Sequence, residues 1–226
     1  MSALPLSPSD DLSSSALPMS TLARHPLDPD VRVGHVSVDY AIDIVKARRA
    51  KAVIIPYKDK ARLRKYVQSL TDNVWDGLQE KTVVHHRHSK LHAPNIDRIP
   101  AWIQNEIRDI FNDLNDIQHA RGKDIVLLAD RPSAGHKGFA PFMHRHKSID
   151  LHQTIYGATL EWTRINVTLS GMSESQIIRY PYLEETIIRA DVGDTIIFGP
   201  DFWHRSSARI PQEGRISLMK PELRYM

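Results

Sequence analysis

The sequence predicts an α+β protein that is mainly β in its second half, a sandwich or jelly-roll barrel of short strands preceded by a helical layer. Three observations predict it. From Asp124 onward, DIVLLAD, LHQTIYG, LEWTRINVTLSG, SQIIRYPY, ETIIRAD, DTIIFG and GRISLMK are short, β-rich and divided by turn residues. Upstream of them, apolar residues recur at helical rather than alternating spacing. The chain contains no cysteine, and its 41% hydrophobic content supports a core without disulfides.

In chain order, residues 1–27 are rich in Ser, Pro and Leu without periodicity, which suits a flexible tail. Residues 28–226 then form a single catalytic domain, with a helical support region over 28–123 and the barrel over 124–226. VSVDYAIDIVKARRA suits a short strand or turn entering a helix, and KAVIIPY is compact and apolar enough for a buried strand. KDKARLRKYVQSLTDNVWDGL places Leu63, Tyr66, Val67 and Leu70 on one helical face. IPAWIQNEIRDIFNDLNDIQHARG is the clearest helix: Pro100 opens it, Ile103, Ile107, Ile110, Phe111 and Leu114 form its stripe, and Gly122 stops it. Trp75 and Trp102 read as core residues.

Composition narrows the function. A net charge of +3, from 30 basic and 27 acidic residues, is too even to imply nucleic-acid binding. No apolar run approaches the roughly 20 residues of a membrane span, and the N-terminus lacks the basic and apolar regions of a secretory signal. These features fit a cytoplasmic protein. Without cysteine there is no thiolate zinc site and no cysteine nucleophile. No Gly-x-Ser-x-Gly elbow and no phosphate-cradling glycine loop is visible.

Histidine is abundant, with 12 in 226 residues. His144 and His146 are two apart, and on a strand such residues point to one face. His204 follows the β-like run DTIIF and a turn containing Gly199 and Pro200. Two ligands from one strand and a third from a distant one assemble a facial metal site with open positions. The competing interpretations are a surface pair flanked by Arg145 and Lys147, and a hydrogen-bonded core histidine at position 204. Asp150 is a further candidate ligand, or the start of a turn. A rival cluster, His85, His86 and His88 with His92, lies among basic residues and suits an exposed loop over the barrel mouth.

These motifs resemble two families that share the double-stranded β-helix fold. Gly138, His144, His146, Asp150 and Gly157 match the first cupin motif, with Asp where that family usually has Glu. Gly193, Pro200 and His204 resemble the second, with a shortened turn and with Ala208 where cupins favour Asn. The other family is the iron(II)- and 2-oxoglutarate-dependent oxygenases, which carry an Arg-x-Ser about ten residues after the distal His. Arg215-Ile216-Ser217 stands there. A fainter likeness is to bacterial proteins that combine an early His, a Tyr-Gly, a Trp and a later His-Arg-Ser, here His144, Tyr156-Gly157, Trp162 and His204-Arg205-Ser206.

The oxygenase resemblance implies Fe(II) on His144, His146 and His204, a 2-oxoglutarate co-substrate and dioxygen. Arg215 would pair with the distal carboxylate and Ser217 would add a hydrogen bond. Apart from the resemblance, Tyr156, Arg164 and Asn166 lie on strand-like runs whose alternation suits positions lining the barrel, Tyr156 and Asn166 at the co-substrate site and Arg164, with Trp162, against a small organic substrate; core packing is the other reading of Tyr156. The departure is His146, where the oxygenase pattern has an acid. The cupin resemblance implies instead a three-His enzyme, a dioxygenase, isomerase or lyase, working without 2-oxoglutarate. A non-catalytic ligand-binding barrel is the third reading. Oligomeric state, a homodimer included, is open at this stage.

Overall fold

The computed structural model describes residues 21–61, 63, 82–85, 90–92, 101, 125–130, 143–157, 159–165, 183–206 and 215–220. Twelve strands and one α-helix are present among them: β1 Ala23–His25, β2 Asp28–Val33, α1 Val38–Lys46, β3 Ala52–Ile55, β4 Thr82–His85, β5 Lys90–His92, β6 Ile125–Asp130, β7 Asp150–Gly157, β8 Leu160–Thr163, β9 Ile187–Arg189, β10 Thr195–Phe198, β11 His204–Ser206 and β12 Arg215–Lys220. They form two sheets, a nine-stranded one in the order β1-β2-β3-β10-β7-β12-β6-β4-β5 and a three-stranded one in the order β11-β8-β9. All pairings are antiparallel except β2 with β3. From β6 onward the chain alternates between the sheets: β7 in the large one, β8 and β9 in the small, β10 in the large, β11 in the small, β12 in the large.

The two sheets are joined by apolar side chains from both. Val31, Ala52, Ile54, Ile196 and Phe198 of the large sheet meet Leu160, Trp162 and Ile188 of the small one, with Phe202 between them. Trp162 and Phe198 are the largest wholly buried side chains, each worth roughly 1.5–3 kcal/mol of burial. The end of this core is tied by Asp28, itself 1% exposed. Its carboxylate accepts from Trp162 Nε1 at 3.2 Å and pairs with Lys51 Nζ at 2.7 Å.

Helix α1 forms where expected. Ser37 Oγ accepts from the Tyr40 amide at 3.2 Å, and Asp39 and Lys46 complement the helix dipole at the two ends. Val38, Ala41, Ile44 and Val45 face inward against β3 and β10. Gly193, at φ +92°, turns the chain into β10; a Cβ there would lie 2.4 Å from Leu63. Its amide donates to Thr154 O at 2.8 Å and its carbonyl accepts from Gln153 Nε2 at 2.7 Å, so the turn clamps β10 to β7.

Three observations stand beside the expectations. Strand structure begins at Ala23 and Leu22 is buried, both within the stretch expected to be a flexible tail. Residues 28–92 supply four strands to the large sheet besides helix α1; β2 pairs in parallel with β3, a contact that local patterning does not announce. As expected the protein is mainly β, and the described strands form two facing sheets. The expected helix bodies after Leu63 and Ala101 and the SQIIRYPY run lie outside the described residues. No helix among the described residues is long and apolar enough to cross a membrane.

Candidate metal centre

His144 and His204 meet through their backbones. Each amide donates to the other's carbonyl, at 2.9 and 3.0 Å, as an isolated antiparallel bridge. The bridge continues the small sheet beyond β11, which pairs with β8 so that His204 stands opposite Trp162. Residues opposite each other share a face, so His204 shares the inner face with that core tryptophan. His146 is not on a shared strand with His144, as the two-residue spacing had suggested. The backbone bends away after the bridge, and residues 145–149 are irregular. The three rings nonetheless converge, with centroids 5.2, 4.5 and 4.8 Å apart.

The donor chemistry fits a divalent transition metal. The candidate ligand nitrogens of His144, His146 and His204 lie within 4.8 Å of one another. A metal with M–N bonds of about 2.1 Å holds its nitrogens no more than about 4.2 Å apart, so modest side-chain rotation closes the set. His204 Nδ1 bonds to Phe202 O at 3.0 Å, which leaves Nε2 for the metal. His146 Nδ1 bonds to Asp150 Oδ2, and Ser148 Oγ donates to Asp150 Oδ1 at 2.9 Å. Asp150 thus orients the His146 imidazole through Nδ1 and is not among the three residues whose candidate donor atoms cluster. Burial, followed by the neighbouring His144, pushes His204 down to about 3, so its ring is neutral with a lone pair available.

Phe198 and Phe202 form an apolar floor under the cluster, their rings 4.5 and 5.7 Å from that of His204. Beyond Phe198 the inner face of the large sheet becomes polar. Asp150 stands opposite Phe198 and His152 opposite Ile196, on the face that carries the core. Ser217 stands opposite Thr154 and Met219 opposite His152, and Arg215 is two residues before Ser217. Arg215 is 2% exposed and donates from Nη2 to His152 Nε2 at 2.7 Å. His152 is wholly buried; burial first, then the Arg215 guanidinium, His204 and His146, hold its pKa well below the ordinary 6.5. It is therefore a neutral acceptor for Arg215. Thr154 Oγ1, Ser217 Oγ and His152 Nδ1 are buried with no hydrogen-bond partner among the described residues.

The structure thus brings together His144, His146, His204 and Asp150, and near them Arg215 and Ser217. Tyr156 is half-buried opposite Ile216 at the far end of β7. Trp162 is a core residue bonded to Asp28, a role that accounts for it without a substrate. Arg164 is exposed, its amide bonded to Thr186 O. Asn166, His86 and His88 lie outside the described residues, while His85 and His92 fall on the β4–β5 hairpin. Sequence reading missed His152. Its signal was the same two-residue period, since His152 follows Asp150 on one strand face.

No family model matches the chain, and no curated protein matches it. Among solved structures it is similar to SnoN, a non-heme alpha ketoglutarate dependent epimerase from nogalamycin biosynthesis. Identity there is 12% over 80% of this chain and 82% of that one, with a TM-score of 0.40. It is also similar to SnoK, a non-heme alpha ketoglutarate dependent carbocyclase from the same biosynthesis, at 9% identity over 82% and 85% of the two chains and a TM-score of 0.40. Likeness at this level assigns no function to the chain.

Proposed function

We infer that the protein is a non-haem iron(II) enzyme that uses 2-oxoglutarate and dioxygen to oxidise, by hydroxylation, a small organic substrate. The observation that carries this reading is the convergence of His144, His146 and His204 at the edge of an inner face whose buried end holds Arg215 and Ser217. The alternation of β6 to β12 between two sheets supports a double-stranded β-helix as the scaffold.

His144, His146 and His204 would hold the iron. Iron(II) bound there supplies redox chemistry that couples oxidative decarboxylation of the co-substrate to oxidation of the organic substrate. The chain's own residues set the conditions. Asp150 and the Phe202 carbonyl would fix the orientation of two imidazoles, so that only a modest rotation closes the donor set. Phe198 and Phe202 exclude water from one side. Arg215 presents a buried cation to the distal carboxylate of 2-oxoglutarate, His152 steadies that guanidinium, and the Ser217 hydroxyl donates a further hydrogen bond. The all-imidazole set leaves the site one charge more positive than a set containing an acid, which favours an anionic co-substrate.

Iron-loaded protein supplied with 2-oxoglutarate and air should release succinate, and Arg215→Met should suppress that release. Absence of both binding and turnover of 2-oxoglutarate by wild type would contradict the reading. A second reading rests on His146 itself: a three-His enzyme of the cupin kind, a dioxygenase, isomerase or lyase, needs neither an acid ligand nor 2-oxoglutarate. Stoichiometric metal uptake together with indifference to 2-oxoglutarate would favour it.

A further inference from the structure

A cleft of about 840 Å³ opens between β2, the end of α1 and the two segments that flank the metal centre. Residues 147–149 and 199–201 form one wall, yet none of His144, His146 and His204 lines it. Six cations line it among the described residues: Arg24, Arg32, Lys46, Arg48, Arg49 and Lys147. A seventh, Lys51, is held by Asp28. Among the described lining residues the acids are Asp30 and Asp201, and Lys46 has an interaction of its own within the chain. Cations near the end of α1 also complement its dipole, but that effect is confined to the last turn and is satisfied by one or two charges. It does not account for Arg24 and Arg32 on the strands or Lys147 beside the metal loop.

Two further details point to a ligand. Arg48 adopts φ 53° directly after the helix cap, Ala47, in the left-handed position where glycine is the ordinary residue. Its amide and that of Arg49 donate to Val45 O and Ile44 O, both at 3.0 Å, which completes the helix end without any need for an arginine. Backbone strain is therefore accepted where it places a guanidinium at the cleft. Arg32 also lines the cleft, and its Nε, itself buried, has no hydrogen-bond partner among the described residues.

We propose that this cleft binds a small molecule bearing a di- or triphosphate group. Arginine forks match phosphate oxygens in pairs. The volume falls within the range of roughly 300–1,000 Å³ common to small-molecule sites. Val45, Ile149 and Ile165 provide an apolar wall for the organic part of the molecule. The proposal stands independently of the metal chemistry.

The test is calorimetric titration of the full chain with inorganic tripolyphosphate, at low and at physiological salt, against sodium chloride of equal ionic strength. Saturable binding that weakens with salt is expected. Arg48→Gly, Arg49→Gln should weaken it by about 10-fold or more, the loss of at least one charge-assisted hydrogen bond. Arg48→Gly alone should weaken binding while leaving the melting temperature unchanged or raised, because glycine adopts that backbone without strain. Wild-type heats no larger than those with chloride would overturn the proposal, as would unaltered affinity in the two variants. A DNA duplex bound far more tightly than tripolyphosphate would also overturn it, by making the cleft a nucleic-acid surface.

Discussion

The inner face of the large sheet has two halves that are equally buried and chemically opposite. On β3 and β10 it presents Ala52, Ile54, Ile196 and Phe198, which pack against Leu160, Trp162 and Ile188 of the facing sheet and need nothing further. On β7 and β12 it presents Asp150, His152, Thr154, Arg215 and Ser217, every one of them buried. A buried polar atom left without a partner costs about 1–3 kcal/mol, and among the described residues atoms of His152, Thr154 and Ser217 on the second half have no hydrogen-bond partner. The comparison separates roles: the apolar half holds the sheets together, and the polar half carries the buried groups that the proposed co-substrate would meet.

The sharpest way to break that division is to disturb the apolar half. Trp162→Ala should cost roughly 3–5 kcal/mol of stability, read as a lower denaturation midpoint. The fraction still folded should keep its metal affinity. Loss of metal binding in fully folded protein would show that the halves are not separable.

Next in size is Asp150→Asn, on the polar half. It keeps the shape but weakens the hold on His146 Nδ1, and metal affinity measured by competition with a chelator should fall about 10–100-fold. The melting temperature of metal-free protein should change little. Unchanged affinity would reduce Asp150 to a turn residue.

Acid should weaken the metal-free protein through His152 on this half and His204 on the facing sheet. Unfolded chain takes up protons on its histidines from the ordinary 6.5 downward, whereas folded His204 resists until about 3, and His152 is displaced in the same direction. The unfolded state therefore binds more protons over that interval. Stability should be level above the ordinary imidazole range and decline as pH falls below it. Melting temperatures recorded across that range with a chelator present would show this; a level profile through the whole interval would contradict neutral, buried imidazoles.

The smallest effect is expected at Ser217→Ala. Removing a buried hydroxyl without a partner should leave metal-free protein equally stable or up to about 1 kcal/mol more stable. Affinity for 2-oxoglutarate should fall several-fold. A stability loss without an affinity loss would assign Ser217 to packing alone.

Much of this architecture was legible in the sequence, for identifiable reasons. The runs that became β6, β7, β8, β9, β10 and β12 carry dense β-branched residues between turns, and α1 carries both a Ser cap and an apolar stripe. His144 and His204 were legible because each falls within a spaced motif. The strands from Ala23 to Val33 were not, because they are short and partly exposed and owe their place to pairing with β3 rather than to alternation. The position of His146 was misread as strand geometry, since a backbone bridge and a bend produce the same convergence. His152 escaped notice because its partner, Arg215, is 63 residues away and only the register of β7 against β12 brings them together.

The central claim is that three histidines hold iron beside an arginine that receives 2-oxoglutarate. Anaerobic addition of iron(II) and then 2-oxoglutarate, followed by visible absorption, tests it most directly. Wild type should develop a charge-transfer band that requires both additions. The band should be absent in His204→Ala and should require far more 2-oxoglutarate in Arg215→Met. Iron retained at full stoichiometry by His204→Ala, or no band in iron-loaded wild type at saturating 2-oxoglutarate, would contradict the account.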